Sequence, residues 1–392
     1  MPTEQVGIFK IYTKLSNEGE KMTAFNTFVL FVVVILSSST LLSVNSEKNI
    51  NNRALKNSIN IYNCIGIVIL TILPGIQISS YGTDIYRYQL NFYRNSLLEW
   101  GDFFAKIKDK VGFYVIAKIT YSIGGRILTF SFFSMIVVLL SYSFIKHNNK
   151  NISVFIATII FFTGLYTTGM FNIVKQGVAI SIILYGTRYI YNNDIKKFII
   201  CICLSYLIHG SAIICIIMYL FWDHRNETNI SRNKACFYIV IGAIAVVFYQ
   251  PLIDLFTSSI TQFENYSSYS DIIESSNRDF WVDCLELALI LLHRKKLCEA
   301  NKKNESMIYL LILSVIIGFT GFYNPYFKRI ALYFSVPSKI MLFGYLPQVY
   351  EGKSRFIMKM LITAFFVGLW VFVRFFIENE WTYNYDLSNI PY

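Results

Sequence analysis

Four ionisable residues stand at or inside long apolar runs, where charge is costly. A charged side chain at membrane depth costs roughly 2.5–3.5 kcal/mol or more, so such groups tend to face a cavity and act there. Arg329 heads an apolar run, after Tyr323-Asn324-Pro325-Tyr326-Phe327-Lys328, with Tyr333 one turn further on. An arginine so placed is either an interfacial anchor or a bidentate clamp for phosphate. Asn172, Lys175 and Gln176 share a helix face, Lys175 and Gln176 lying three and four residues after Asn172. That face reads either as a snorkelling lysine or as an anion site opening to the outside. His209 lies in an otherwise apolar segment, with Ser205 one turn before it. It is either a packing residue or, with an ordinary pKa of about 6.5, a proton acceptor. Asp84, Tyr88 and Phe92 recur every four residues on one helix face, and Gly82-Thr83-Asp84 also reads as a turn and helix N-cap. Tyr266 and Tyr269, beside Asp271 in a Ser-rich stretch, suit the faces and hydroxyls of sugar rings.

The elements that must position these groups are membrane helices. The chain has 392 residues, 55% hydrophobic and 15% charged, with a mean hydropathy of +0.47. A helix rises about 1.5 Å per residue, so roughly 20 apolar residues cross a core of about 30 Å. Spans are expected near residues 24–44, 59–78, 127–145, 152–170, 172–191, 236–256, 280–292, 306–322, 329–348 and 357–377. The expected fold is all-α: a polytopic integral membrane protein with about ten to twelve crossings. Residues 1–23 form an N-terminal extension, 24–377 the membrane domain and 378–392 an external tail. The first apolar run, from about Ala24, is long enough to remain as a span rather than a cleaved signal, and Met22 offers a second start. No internal repeat stands out.

Orientation follows from lysine and arginine in short loops, which favour the cytoplasm. Lys48–Lys56, Lys146–Lys150, Arg188–Lys197, Arg225–Lys234, Arg294–Lys303 and Lys353–Lys359 are such clusters. Residues 80–126 and 258–279 are expected as external loops. Within the first of these, Val111–Tyr121 suits an interfacial segment anchored by Phe113, Tyr114 and Tyr121. The segment 198–221 poses a parity problem, because both its flanks are positive and 24 residues make only one full crossing. A broken hairpin turning at His209-Gly210 resolves it and marks a cavity, since bare backbone at membrane depth must be covered. The alternative is one ordinary span with a weak charge signal at one end.

The net charge of +11 is spread in short clusters between apolar runs, not on one basic face, which argues against nucleic acid as a partner. The seven cysteines lack paired metal spacing and read as small packing residues. No phosphate-binding loop, zinc-protease motif or nucleophile elbow occurs, so neither a metal nor a cofactor is expected.

The order of these elements resembles the EpsG family of bacterial membrane proteins, within the broader Wzy-like polysaccharide polymerases. The resemblance runs from about Phe25 to Tyr392. It rests on Gly82-Thr83-Asp84 followed by Tyr88 and Phe92, Gly112-Phe113, Lys175-Gln176 with Ala179, His209-Gly210-Ser211-Ala212, Arg329 with Tyr333-Phe334, and the ending Ile390-Pro391-Tyr392. Two departures stand out. Lys175 takes the place of the family's arginine, keeping the charge but losing the planar fork. Lys110-Val111 replaces the acid that commonly precedes Gly112.

The resemblance implies a fold like the C-type multispanning glycosyltransferases. It also implies an enzyme of the bacterial plasma membrane that joins polysaccharide repeat units on the outer face. The partners implied are polyprenyl-pyrophosphate-linked oligosaccharide and membrane lipid, together with chain-length regulator and flippase proteins. Without a metal, fixed cations must stabilise the leaving diphosphate, and Arg329, Lys175 and Arg126 are the candidates. Asp84 and His209 are alternative acceptors for the hydroxyl proton. Tyr88, Gln176, Asn172, Tyr266 and Tyr269 are candidate substrate contacts. A flippase for lipid-linked oligosaccharide, a membrane O-acyltransferase and an O-antigen ligase are the competing readings.

Overall fold

A computed structural model describes residues 20–21, 24–43, 53–77, 83–223, 228–229, 233, 235–237, 239–241, 278–319, 325–373 and 384–385. The span expected at 236–256 lies largely outside them. So do Tyr266 and Tyr269.

The described residues are overwhelmingly helical. α1 (Ala24–Ser43) packs on α2 (Arg53–Ile76), which packs on the long α5 (Val111–His147). Between them come α3 (Thr83–Ser96) and α4 (Trp100–Lys106). α6 (Val154–Phe161) continues through a π-turn at Phe162–Tyr166 into α7 (Thr167–Phe171). α8 (Val174–Tyr191) and α9 (Ile195–Ile208) follow, then a 3₁₀ segment at Gly210–Ile216 and α10 (Ile217–Leu220). The C-terminal half holds α11 (Arg278–Leu292), α12 (Arg294–Ala300), α13 (Asn304–Phe319), α14 (Pro325–Tyr345) and α15 (Gly352–Val371). Two pairs of two-residue strands, Glu20–Lys21 with Asn384–Tyr385 and Trp222–Asp223 with Thr228–Asn229, add little.

Four of these stretches are long and apolar enough to cross a membrane: Val111–His147, Val154–Phe171, Lys328–Val349 and Gly352–Val371. Four shorter apolar helices accompany them: Val29–Ser43, Ile61–Ile76, Gly210–Leu220 and Asn304–Phe319. The chain is an all-α polytopic membrane protein.

Two local features show how the sequence builds these helices. Pro74 lies inside α2 and has no N–H to give the carbonyl of Leu70, four residues back. In an apolar surround that carbonyl must find another donor. The hydroxyls of Tyr166 (2.6 Å) and Ser134 (2.8 Å) both donate to it, which ties α2 to α5 and to the π-turn. Tyr166→Phe is therefore expected to lower stability by about 1–3 kcal/mol, read as a fall in melting temperature in detergent, with Tyr166→Trp no better. The second feature is the kink in α5, where Gly125 adopts φ 58° and Gly124 is also non-helical. A side chain at φ 58° is disfavoured, so this hinge belongs to glycine.

Within residues 80–126, expected as an external loop, the chain from Thr83 onward forms α3, α4 and the first part of α5. Interleaved acids and bases gave this region a loop-like sequence, but α3 buries Ile85, Tyr88 and Phe92 on one side. Val111–Tyr121 likewise belongs to a kinked helix, with Phe113, Ala117 and Tyr121 buried in the bundle.

The break at His209 is present. α9 ends at Ile208, His209 is extended (φ −152°, ψ 115°), and the following 3₁₀ segment packs back against α9.

Candidate functional site

Four helices and the His209 break meet at one end of the bundle. Asp84 lies in the first turn of α3, Lys110 is the N-cap of α5, Lys175 opens α8, and Arg329 lies early in α14. Helix N-termini present unpaired N–H groups and the positive end of the helix dipole, an arrangement that favours anions. Neither α5 nor α8 satisfies its first turn with a side-chain cap. The start of α5 also abuts the end of α9, since a Cβ at Gly112 would stand 3.1 Å from the Leu207 carbonyl oxygen.

Arg329 Nη1 lies 3.4 Å from Asp84 Oδ2, joining α14 to α3 across 245 positions of sequence. The Gln176 side-chain amide donates to the Arg329 carbonyl at 2.5 Å, so α8 fixes the main chain that carries the guanidinium. Lys175 Nζ sits 5.2 Å from the ring centre of Tyr88, 5.3 Å from Tyr114 and 5.8 Å from Phe113. It also donates to the Tyr114 hydroxyl at 3.4 Å. An ammonium among three rings is attracted by their quadrupoles. Asp84 and Arg329 are both within electrostatic reach of Lys175, and Lys175, Lys110 and Arg329 are within reach of His209.

Tyr88 stacks on Phe92 at 6.0 Å, as the four-residue spacing predicts. Burial, with the Asp84 charge adding to it, holds its phenol well above the ordinary range, so Tyr88 stays a neutral hydroxyl. Ser211, at the start of the 3₁₀ segment, donates to the buried Tyr333 of α14 at 3.3 Å. Three buried polar atoms here have no hydrogen-bond partner among the described residues: Asn172 Oδ1, Gln176 Oε1 and His209 Nδ1. Buried polar atoms without partners are uncommon, and a ligand is one explanation.

The structure thus brings together Asp84, Tyr88, Lys175, Gln176, His209 and Arg329, with Asn172 at the turn before α8. Arg126 is held elsewhere, just past the Gly124–Gly125 kink, where it is buried and donates to the Gln77 carbonyl. Ser205 donates to the Ala179 carbonyl at 2.9 Å and so fastens α9 to α8.

Sequence reasoning missed several members. Tyr114 and Phe113 were read as interfacial anchors, yet they wall the Lys175 ammonium. Asp109 and Lys110, paired at 2.5 Å, contribute charge beside the site. Lys118 is the least legible. It is buried on α5, and its ammonium donates to the carbonyls of Asn95 (2.8 Å) and Leu98 (2.5 Å), with Trp100 and Phe103 above it. A cation at a helix C-terminus satisfies orphan carbonyls and complements the dipole. Lys118 thereby fixes α3, whose other end carries Asp84. Lys118→Met is expected to loosen α3 by about 1–3 kcal/mol and to lower activity without touching substrate. Faster hydrogen exchange confined to α3 and α4 is the check.

Among the described residues, no group of three or more His, Cys, Asp or Glu comes together as a metal site. The cysteines among them are free, with Cys201 and Cys215 buried as packing residues.

With this geometry in place, comparison with known families is informative. The EpsG family model matches residues 60–392. The chain belongs to the EpsG family. Membership makes it a glycosyltransferase-like membrane protein of polysaccharide biosynthesis. No curated protein and no solved structure matches it.

Proposed function

We propose that this EpsG-family chain polymerises lipid-linked oligosaccharide repeat units at the outer face of the bacterial plasma membrane. The donor is a growing glycan on polyprenyl pyrophosphate, and the acceptor is a second lipid-linked unit. The acceptor hydroxyl oxygen bonds to the donor's anomeric carbon. The bond from that carbon to the diphosphate oxygen breaks, and the electron pair leaves with polyprenyl pyrophosphate. The hydroxyl proton passes to His209 or Asp84.

The observation that carries this reading is the convergence of Arg329, Lys175, Asp84 and His209 from four separate elements. Arg329 and Lys175 supply fixed positive charge where negative charge develops on the leaving diphosphate. Asn172, Gln176 and Tyr88 offer polar contacts to the bound substrate. Tyr266 and Tyr269 remain proposed sugar contacts.

The direction of the helices supports the outward placement. α5, α8 and α14 begin at the site, and α5 and α8 end at the basic clusters Lys146–Lys150 and Arg188–Lys197, while the cluster Lys353–Lys359 opens α15 soon after α14. Such clusters favour the cytoplasm, which leaves the site at the opposite membrane face. The reading requires no metal.

Purified protein in liposomes with its lipid-linked repeat unit tests the reading. A ladder of lengthened chains with release of polyprenyl pyrophosphate, undiminished by EDTA, is expected. Movement of the unit across the bilayer without lengthening would replace the polymerase reading with a flippase.

A further inference from the structure

We propose that Asp84 is a placeholder for the diphosphate: it holds the Arg329 guanidinium until the lipid diphosphate binds and displaces it. This rests on the diphosphate reading above and adds an order of events to it.

Three observations carry the proposal. The Arg329–Asp84 contact is 3.4 Å, long for a charge-assisted hydrogen bond, which ordinarily lies at about 2.7–2.9 Å. Both side chains are partly open, at 39% for Arg329 and 20% for Asp84, so water and ligand can compete for them. The Arg329 main chain, in contrast, is fixed through its carbonyl by Gln176. A guanidinium on an anchored backbone can change partners without moving its helix. A diphosphate carries more charge than a carboxylate and matches the guanidinium fork, so it wins the exchange.

Displaced from Arg329, the Asp84 carboxylate is free to meet the acceptor hydroxyl.

The test is binding of farnesyl pyrophosphate, a short lipid diphosphate, to the full-length protein in nanodiscs by calorimetry. Asp84→Asn removes a charged competitor for Arg329 and is expected to tighten binding by about threefold to fivefold, the range of a partly exposed ion pair. Asp84→Glu, which keeps the charge, should bind like the unsubstituted chain. Arg329→Ala should weaken binding at least tenfold, and adding Asp84→Asn to it should change nothing more. Asp84→Ser supplies a second neutral form if the asparagine form does not fold. Unchanged or weaker binding by the neutral forms, with Arg329→Ala still defective, would overturn the exchange and leave the diphosphate site standing. Normal binding by Arg329→Ala would instead remove the diphosphate site itself.

Discussion

Arg329→Ala is expected to reduce chain extension by about 10²–10³-fold while the protein still inserts and folds. The activity loss follows from its position: a guanidinium at the mouth of the site, beside Asp84 and within reach of Lys175 and His209. On the proposed reading, a pre-placed cation acts where the leaving diphosphate gathers charge, and water cannot replace it cheaply in a partly closed site. The fold survives because the side chain is 39% exposed and Gln176 holds only its main-chain carbonyl, which alanine keeps. Arg329→Lys should recover part of the activity, since it restores the charge without the fork. A repeat-unit ladder from reconstituted enzyme, read beside a melting curve, separates these effects. Lys175→Ala should likewise keep the fold and still be defective in extension, because Tyr88 and Phe113 are buried in the bundle and do not depend on the ammonium for it.

The second large effect lies away from the site. Lys339 on α14 pairs with Asp283 at 2.5 Å and with the buried Glu286, both on α11. Removing one partner from a buried ion pair strands charge in a poor solvent and costs about 3–5 kcal/mol. Here Lys339→Met strands two carboxylates one turn apart, so α11 should detach from α14. The expected result is a low yield of folded protein and a melting temperature depressed well below that of any substitution at the site. Combining Lys339→Met with Asp283→Asn and Glu286→Gln removes the stranded charge and should recover much of the loss. Failure of that triple change to recover stability would assign these residues a role beyond holding the two helices together.

Much of the fold was legible because lipid imposes a simple rule. Apolar runs of about 20 residues must be helices, and α1, α2, α6–α7, α8, α13 and α14 fall within a few residues of their expected places. The break at His209 came from charge parity alone, without a proline or glycine pair to announce it. Within residues 80–126 most of the helices were not legible, because a short amphipathic helix buried on one side carries as many charges as a loop. Asp84, Tyr88 and Phe92 nevertheless gave the helical spacing that α3 adopts.

The site was legible residue by residue but not as a set of contacts. Arg329 and Lys175 stood out because charge is costly beside lipid. Nothing in the sequence said that Gln176 would reach the Arg329 carbonyl or that Asp84 would meet a guanidinium 245 positions away. Arg126 carried the same signal, and its guanidinium donates to the Gln77 carbonyl just past the end of α2. Lys118, Lys339 and the Pro74–Leu70–Tyr166 arrangement were hidden because each pairs residues from distant segments. Their meaning is visible only once the orphan carbonyl or stranded carboxylate is seen.

The most direct measurement is an electron cryomicroscopy map of the full-length protein in nanodiscs with a polyprenyl-pyrophosphate-linked repeat unit. Density for the diphosphate is expected between the Arg329 guanidinium and the Lys175 ammonium, with a sugar hydroxyl or anomeric carbon near Asp84 and His209. Diphosphate density at another face of the bundle, with Arg329 still on Asp84, would contradict the account.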